Sequence, residues 1–255
     1  MNYTILLSND DGINSSGLDA LSEALSPLGK IVIVAPDREQ SASSHALSIH
    51  RPLRIDRISE NSYSVDGTPT DCINLAVNGI LRHNKPDLIV SGINKGENLG
   101  DDITYSGTVS AAIEGTLLGI PSVAVSLEGR NEYNFDASKH FSAQIAGYVL
   151  KNSLPSDTLL NVNIPKLELN KIKGIRFTRQ GKRIYNDAVV EKIDPRGREY
   201  YWIGGDELDS VDMENSDIDA LNKGFVSVTP IKLDLTDYEF MNYLNKNFIK
   251  TKEHA

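Results

Sequence analysis

Apolar runs alternate with helical patterns through the first part of the chain, and this rhythm limits the possible folds more than any single motif. Strands are expected near 3–7, 31–35, 87–91 and 121–126, with helices near 16–27, 71–82, 107–119 and 136–151. That is the βαβ order of a parallel sheet. Thr4-Ile5-Leu6-Leu7 shows no polar alternation, as suits a strand covered on both faces. The expected fold class is therefore α/β, with a Rossmann-like parallel-sheet core and helices on both faces. After Pro155 the pattern breaks into strand-like pieces at 159–163, 174–179 and 225–228, with a charged and aromatic segment from Arg176 to Trp202. We read residues 1–255 as a single domain: a core over about 1–165, then a β-hairpin-rich extension over about 166–255.

The 255 residues, 40% of them hydrophobic, suffice for a sizeable core. A net charge of -9 argues against a nucleic acid duplex as partner, and a phosphorylated substrate would need local positive charge. No basic start precedes an apolar run, and nothing approaches the roughly 20 apolar residues of a membrane span, so a cytoplasmic protein without a membrane partner is expected. The lone Cys72 forms no internal disulfide and falls on the apolar stripe of a predicted helix, a packing position.

In parallel sheets, ligands collect beyond the carboxyl ends of the strands. Beyond the first strand stand Asn9, Asp10, Asp11 and Gly12. Adjacent carboxylates converge only where the backbone leaves strand geometry, and once close they raise each other's pKa unless a cation compensates them. The pair suits a metal ion; a helix cap or a solvated turn is the alternative. Beyond the third strand, Ser91-Gly92-Ile93-Asn94 brings the Asn94 oxygen toward the same crevice, or is simply a turn. Ser106-Gly107-Thr108 opens a helix, where free amides and the positive end of the dipole suit a phosphate; an ordinary N-cap uses the same residues. The loop after the second strand offers Ser41 as an oxygen ligand and His45 as a group titrating near neutrality, with a plain surface loop as the alternative.

Several of these segments, in this order, resemble the survival protein SurE family: Leu6 to Gly12, Ala35-Pro36-Asp37-Arg38, Gly67 to Cys72, Ser91 to Asn94 with Gly100-Asp101-Asp102, Tyr105 to Thr108, and Gly224 to Pro230. The resemblance implies a metal-dependent nucleotidase that hydrolyses nucleoside 5'-monophosphates, with 3'-nucleotides and short polyphosphate as further substrates of some members. Carried over by position, the metal ligands are Asp10, Asp11, Ser41 and Asn94, and the phosphate is held by Asn9, Ser106, Gly107 and Thr108 with Asn94. The resemblance also implies a homodimer or homotetramer in which the C-terminal hairpin or tail embraces the neighbour.

The donor set agrees with this chemistry. Carboxylates, a hydroxyl and an amide are hard ligands, favouring one Mg²⁺ or Mn²⁺ per subunit. Asp10 or Asp11 is expected to take the proton of an attacking water, and His45 to protonate the leaving ribose oxygen or to bind phosphate. The pair Asp101-Asp102 is read as orienting Asn94 or Lys95, or as capping a loop. Arg176, Arg179, Lys182 and Arg183 are read as a solvated hairpin face, and Tyr105, Tyr185 and Trp202 as packing aromatics or base-stacking candidates.

Three rival folds explain the sequence less well. A phosphoacceptor receiver domain needs an aspartate where Ser91-Gly92-Ile93-Asn94 stands. A dinucleotide-binding oxidoreductase needs a glycine fingerprint where Asn9-Asp10-Asp11-Gly12 stands. A haloacid-dehalogenase-like phosphatase separates its two aspartates by one residue.

Overall fold

A computed structural model describes residues 3–129, 131–184, 189–203 and 209–248. The elements, in chain order, begin with β1 (Tyr3–Ser8), α1 (Ser16–Leu25), β2 (Gly29–Pro36), β3 (Ile55–Ser59), β4 (Ser62–Val65), α2 (Pro69–Leu75), β5 (Leu88–Lys95), α3 (Gly107–Leu117), β6 (Ser122–Leu127), α4 (Asp136–Asn152) and β7 (Thr158–Ile164). There follow β8 (Ile175–Phe177), β9 (Arg183–Ile184), β10 (Val189–Ile193), β11 (Glu199–Ile203), β12 (Asp209–Ser210), α5 (Asp217–Asn222), β13 (Val226–Lys232) and α6 (Tyr238–Asn247). Among the described residues the main sheet has nine strands in the order β3-β4-β2-β1-β5-β6-β7-β13-β8. The run from β2 through β1, β5 and β6 to β7 is parallel.

The alternation of buried side chains along each strand fixes the two covering layers. Ile5 and Leu7 of β1 pack with Leu21 of α1 and Phe141 of α4. Leu6 points the other way and joins Val34, Ile73 of α2 and Ala111 of α3. This is the layered α/β core expected of the pattern. Cys72 is fully buried in the second cluster, and burial pushes its thiol up, so it is a packing residue.

The structure departs from the expectation in four places. β5 does not end near residue 91 but continues through Ser91-Gly92-Ile93-Asn94 to Lys95, with a register shift against β6 between Ser91 and Asn94 where a polar loop was expected. The helix expected over 71–82 is α2, ending at Leu75, followed by one π turn over Ala76–Ile80. The ribbon β3–β4 extends one sheet edge where no strand was expected, and every residue of β3 is exposed. The segment after residue 165 is not all appended to the core, because β13 lies between β7, antiparallel, and β8, parallel. The hairpin β10–β11 does stand apart as its own two-stranded sheet.

One buried carboxylate ties the later segment to the core. Asp217 is fully buried and accepts the amides of Gly100 at 2.9 Å, Gly181 at 2.8 Å and Ile218 at 2.8 Å. Burial raises its pKa, and the three donors work against that rise. The loop after β5 and the loop after β8 are thus held on one side chain.

Candidate active site

A cleft of about 700 Å³ opens at the carboxyl ends of β1, β2 and β5. Asp10, Asp11, Ser41, Asn94 and Ser106 line it, so the four separate segments singled out by their strand-end positions converge. Asn9, His45, Gly107 and Thr108 do not line it. Each of these four does something else.

Asn9 is fully buried, and its amide nitrogen donates to the Gly12 carbonyl at 3.1 Å and the Ser15 hydroxyl at 2.6 Å. The donors that the sequence offered to phosphate shape the Asp10-Asp11 turn instead. Thr108 is also fully buried, and both its hydroxyl and its amide face Asp10, the hydroxyl in a short hydrogen bond to Oδ1. The first anion held at the α3 N-terminus is therefore the protein's own carboxylate. Gly107 makes this approach possible: a Cβ there would lie 2.7 Å from the Asp10 Cβ and 2.9 Å from the Ser43 hydroxyl. His45 turns to α3, with Nε2 2.9 Å from Glu114 Oε2.

The two carboxylates are strained electrostatically. Burial raises Asp10 above the ordinary carboxylate range, opposed by Thr108. Burial and then the Asp10 charge push Asp11 from 3.8 up to about 6, with Lys95 offsetting a part. Glu39, which also lines the cleft, adds to both rises. Asp11 Oδ2 is buried with no hydrogen-bond donor. Asn94 donates its Nδ2 to the Gly96 carbonyl at 2.8 Å, which leaves its oxygen as the acceptor at the cleft. The neighbouring Gly92, at φ +137°, admits no side chain, since a Cβ would collide with the Val125 carbonyl oxygen.

These residues fit a hard divalent cation. Two raised carboxylates, one orphaned carboxylate oxygen and one amide oxygen share the wall, and Ser41 stands beside them, donating to Glu39 at 2.6 Å. Among the described residues no group of three or more His, Cys, Asp or Glu side chains is placed to hold a metal ion, so the donor set at the cleft is the two carboxylates with an amide and a hydroxyl beside them.

Sequence reasoning missed Glu39, Ser43 and Tyr133. Ser43 has a hydroxyl shut off from solvent and without a partner. Tyr133 lines the cleft, its hydroxyl bonded to the Gly129 carbonyl at 2.7 Å and its ring 5.9 Å from the Lys95 ammonium. Exposed Tyr105 also lines the cleft, Trp202 does not, and Tyr185 lies outside the described residues.

Asp101 and Asp102 do not simply cap a loop: Asp101 accepts from Lys182 Nζ at 3.0 Å and the Arg183 amide at 3.1 Å, and Asp102, itself on the cleft wall, accepts from Arg183 Nε at 2.9 Å. Nor is the basic cluster all solvated, since the Arg183 side chain is buried against Asp102 and Glu97 while Arg176 lies 3.8 Å over the Phe225 ring.

Known proteins share this architecture nearly end to end. A crystal structure of the SurE protein from Aquifex aeolicus superposes with a TM-score of 0.85 at 48% identity, covering 95% of this chain and 98% of that one. A protein of Geotalea uraniireducens named 5'-nucleotidase SurE is 53% identical over 243 residues, 95% of this chain and 98% of its own. One of the same name from Geobacter sulfurreducens is 52% identical over 94% of this chain and 92% of its own. The model of the family described as survival protein SurE matches residues 5–187, a stretch that contains every residue of the cleft, and with these relatives it shows that the chain belongs to that family.

Proposed function

We propose that the chain is a metal-dependent phosphomonoesterase that releases phosphate from nucleoside 5'-monophosphates. Relatives at about half identity carry the 5'-nucleotidase name, and the observation that carries the chemistry is the uncompensated pair Asp10 and Asp11 on the cleft wall. Asp10, Asp11 and the Asn94 oxygen would hold Mg²⁺ or Mn²⁺, with Ser41 adjacent. When bound, such an ion supplies positive charge and Lewis acidity at the phosphoryl group. Thr108 fixes the orientation of Asp10. Asp11, with one carboxylate oxygen left without a donor, is the group we assign to take the proton of the attacking water. Ser106, on the cleft wall at the α3 N-terminus, is the hydroxyl we assign to donate to a phosphoryl oxygen, while the enclosed Ser43 hydroxyl packs behind it beside Asp10.

Phosphate release from 5'-AMP, 3'-AMP and a generic phosphomonoester, with Mn²⁺ or Mg²⁺ and after chelation, tests the reading. Chelator-sensitive release that is fastest from 5'-AMP is expected. Equal release with and without chelator would refute the metal, and no release from any nucleotide would refute the substrate.

We also read the enzyme as a cytoplasmic homodimer or homotetramer. Among the described residues no helix is long and apolar enough to cross a membrane, and the single cysteine is buried and unpaired. α6 buries none of its residues, leaving Phe240, Tyr243 and Leu244 exposed, and the hairpin strands β10 and β11 are exposed throughout. Apolar surface of this extent suits burial against a second copy. Light scattering coupled to size exclusion is expected to give two or four chains; a monomer at micromolar concentration would end this reading.

A further inference from the structure

Between β2 and β3 the chain runs without a regular element, and Ala42 and Ser44 adopt φ values of 55° and 53°. The path of this loop is therefore set by what it reaches. Two of its hydroxyls serve the site: Ser41 on the cleft wall, and Ser43 beside Gly107 and Asp10 with no partner of its own. At its start the loop is tied to the site by the Gln40 amide, which donates to the Asp10 carbonyl at 2.8 Å, and by Ser41, which donates to Glu39 at 2.6 Å; at its far end Thr68 Oγ1 donates to the Ala46 carbonyl at 2.7 Å, and the bonds that hold the stretch around Ser43 lie between. Ser44 donates its amide to the Tyr105 carbonyl at 3.1 Å and its hydroxyl to the Thr104 carbonyl at 2.9 Å. His45 then meets Glu114 at 2.9 Å.

Glu114 lies two helical turns along α3 from Gly107, on the same face. The loop thus follows the helix from its N-terminus inward. The Glu114 side chain is buried, 6% exposed, a position a carboxylate keeps only with partners. Its second oxygen accepts from Asn74 Nδ2 of α2 at 2.7 Å, so the helix pair holds it ready and His45 completes its shell. The hydrogen bond from His45 is the main reason its carboxyl stays below the usual range.

We propose that Glu114 is a positioning residue: by capturing His45 it pins the 41–46 loop along α3 and so sets where Ser41 and Ser43 stand against Asp10. The effect on turnover rests on the phosphomonoesterase reading; the loop contact does not. The role given to His45 here differs from acid catalysis at the leaving oxygen, because the imidazole is engaged on α3 and outside the cleft lining.

The test compares His45→Ala, His45→Gln, Glu114→Ala and the double alanine variant in two readouts. One is amide hydrogen exchange over 41–48, which needs no substrate; the other is kcat for 5'-AMP with Mn²⁺. Each alanine variant is expected to speed exchange over 41–48 by about ten-fold and to lower kcat by about ten- to a hundred-fold, the cost of a misplaced site. The double variant is expected to be no worse than either single one, as for two ends of one contact. His45→Gln keeps a donor for Glu114 but carries no titratable proton, and it is expected within about three-fold of the parent, well short of the loss assigned to misplacement.

Two results overturn the proposal. Unchanged exchange in His45→Ala removes the latch, and a His45→Gln variant as slow as His45→Ala with parental exchange assigns the imidazole a chemical role instead. If Glu114→Ala fails to fold, the two His45 variants decide the matter alone. A parent enzyme inactive on every nucleotide would sink the substrate reading while the exchange comparison still judged the latch.

Discussion

Asp10→Asn is expected to lower metal-dependent phosphate release by about a thousand-fold or more while leaving the fold intact, the range set by losing a group that acts in a unit. The substitution is nearly isosteric, and the new amide oxygen still accepts the Thr108 hydroxyl. What disappears is the negative charge that burial made costly and that a cation would compensate. Thr108→Val separates holding from charge: Asp10 stays ionisable but loses its hydroxyl partner, so a smaller loss of about ten-fold is expected, the usual size of one charged hydrogen bond. Release assays on both variants, with circular dichroism to confirm folding, check the pair. An Asp10→Asn enzyme at parental rate would exclude the carboxylate from the chemistry.

The second large effect concerns stability. With its pKa raised from 3.8 to about 6, Asp11 holds its proton longer in the folded chain than in the unfolded one. Below pH 4 both states are protonated and the group costs nothing. Between about pH 4 and 6 the unfolded state binds fewer protons, so stability falls as pH rises. Above pH 6 both states are ionised and the full cost stands, about 1–2 kcal/mol once solvent screening of this half-buried group is allowed for. Asp10 shifts in the same direction. After chelation, Asp11→Asn is therefore expected to melt higher than the parent at pH 7.5 and equally at pH 4. Added Mn²⁺ is expected to reverse the order, stabilising the parent at pH 7.5 and leaving the variant nearly unmoved. Thermal melts at the two pH values measure this, and a parent that is more stable than the variant at pH 7.5 after chelation would contradict it.

The sheet was legible because its central strands are buried on both faces and carry continuous apolar runs, as Leu88-Ile89-Val90 does. β3 was not, since an edge strand with every residue exposed carries no hydrophobic period. The strand near 225–228 is legible, but its antiparallel insertion beside β7 depends on a pairing that local pattern does not encode. At the site, Asp10, Asp11 and Asn94 announced themselves by standing at strand ends. Thr108 and Asn9 stand out for their donors, yet which acceptor takes those donors is decided by burial: Asp10 for one, the Gly12 turn for the other. Ser43 and Glu114 carried no signal, because their roles depend on where an irregular loop lies on a helix far along the chain.

The position of β13 has a consequence for synthesis of the chain. Its backbone pairs with β7 on one side and β8 on the other, so the parallel sheet built from the first part of the chain keeps an open edge until residues 226–232 arrive. That edge is β7, whose Leu160 and Val162 pack in the main core. A nascent or truncated chain ending before β13 would therefore display an unpaired apolar strand, the kind of surface on which separate chains pair with one another. The strand that closes this edge is in this sense the fold's own protection against aggregation.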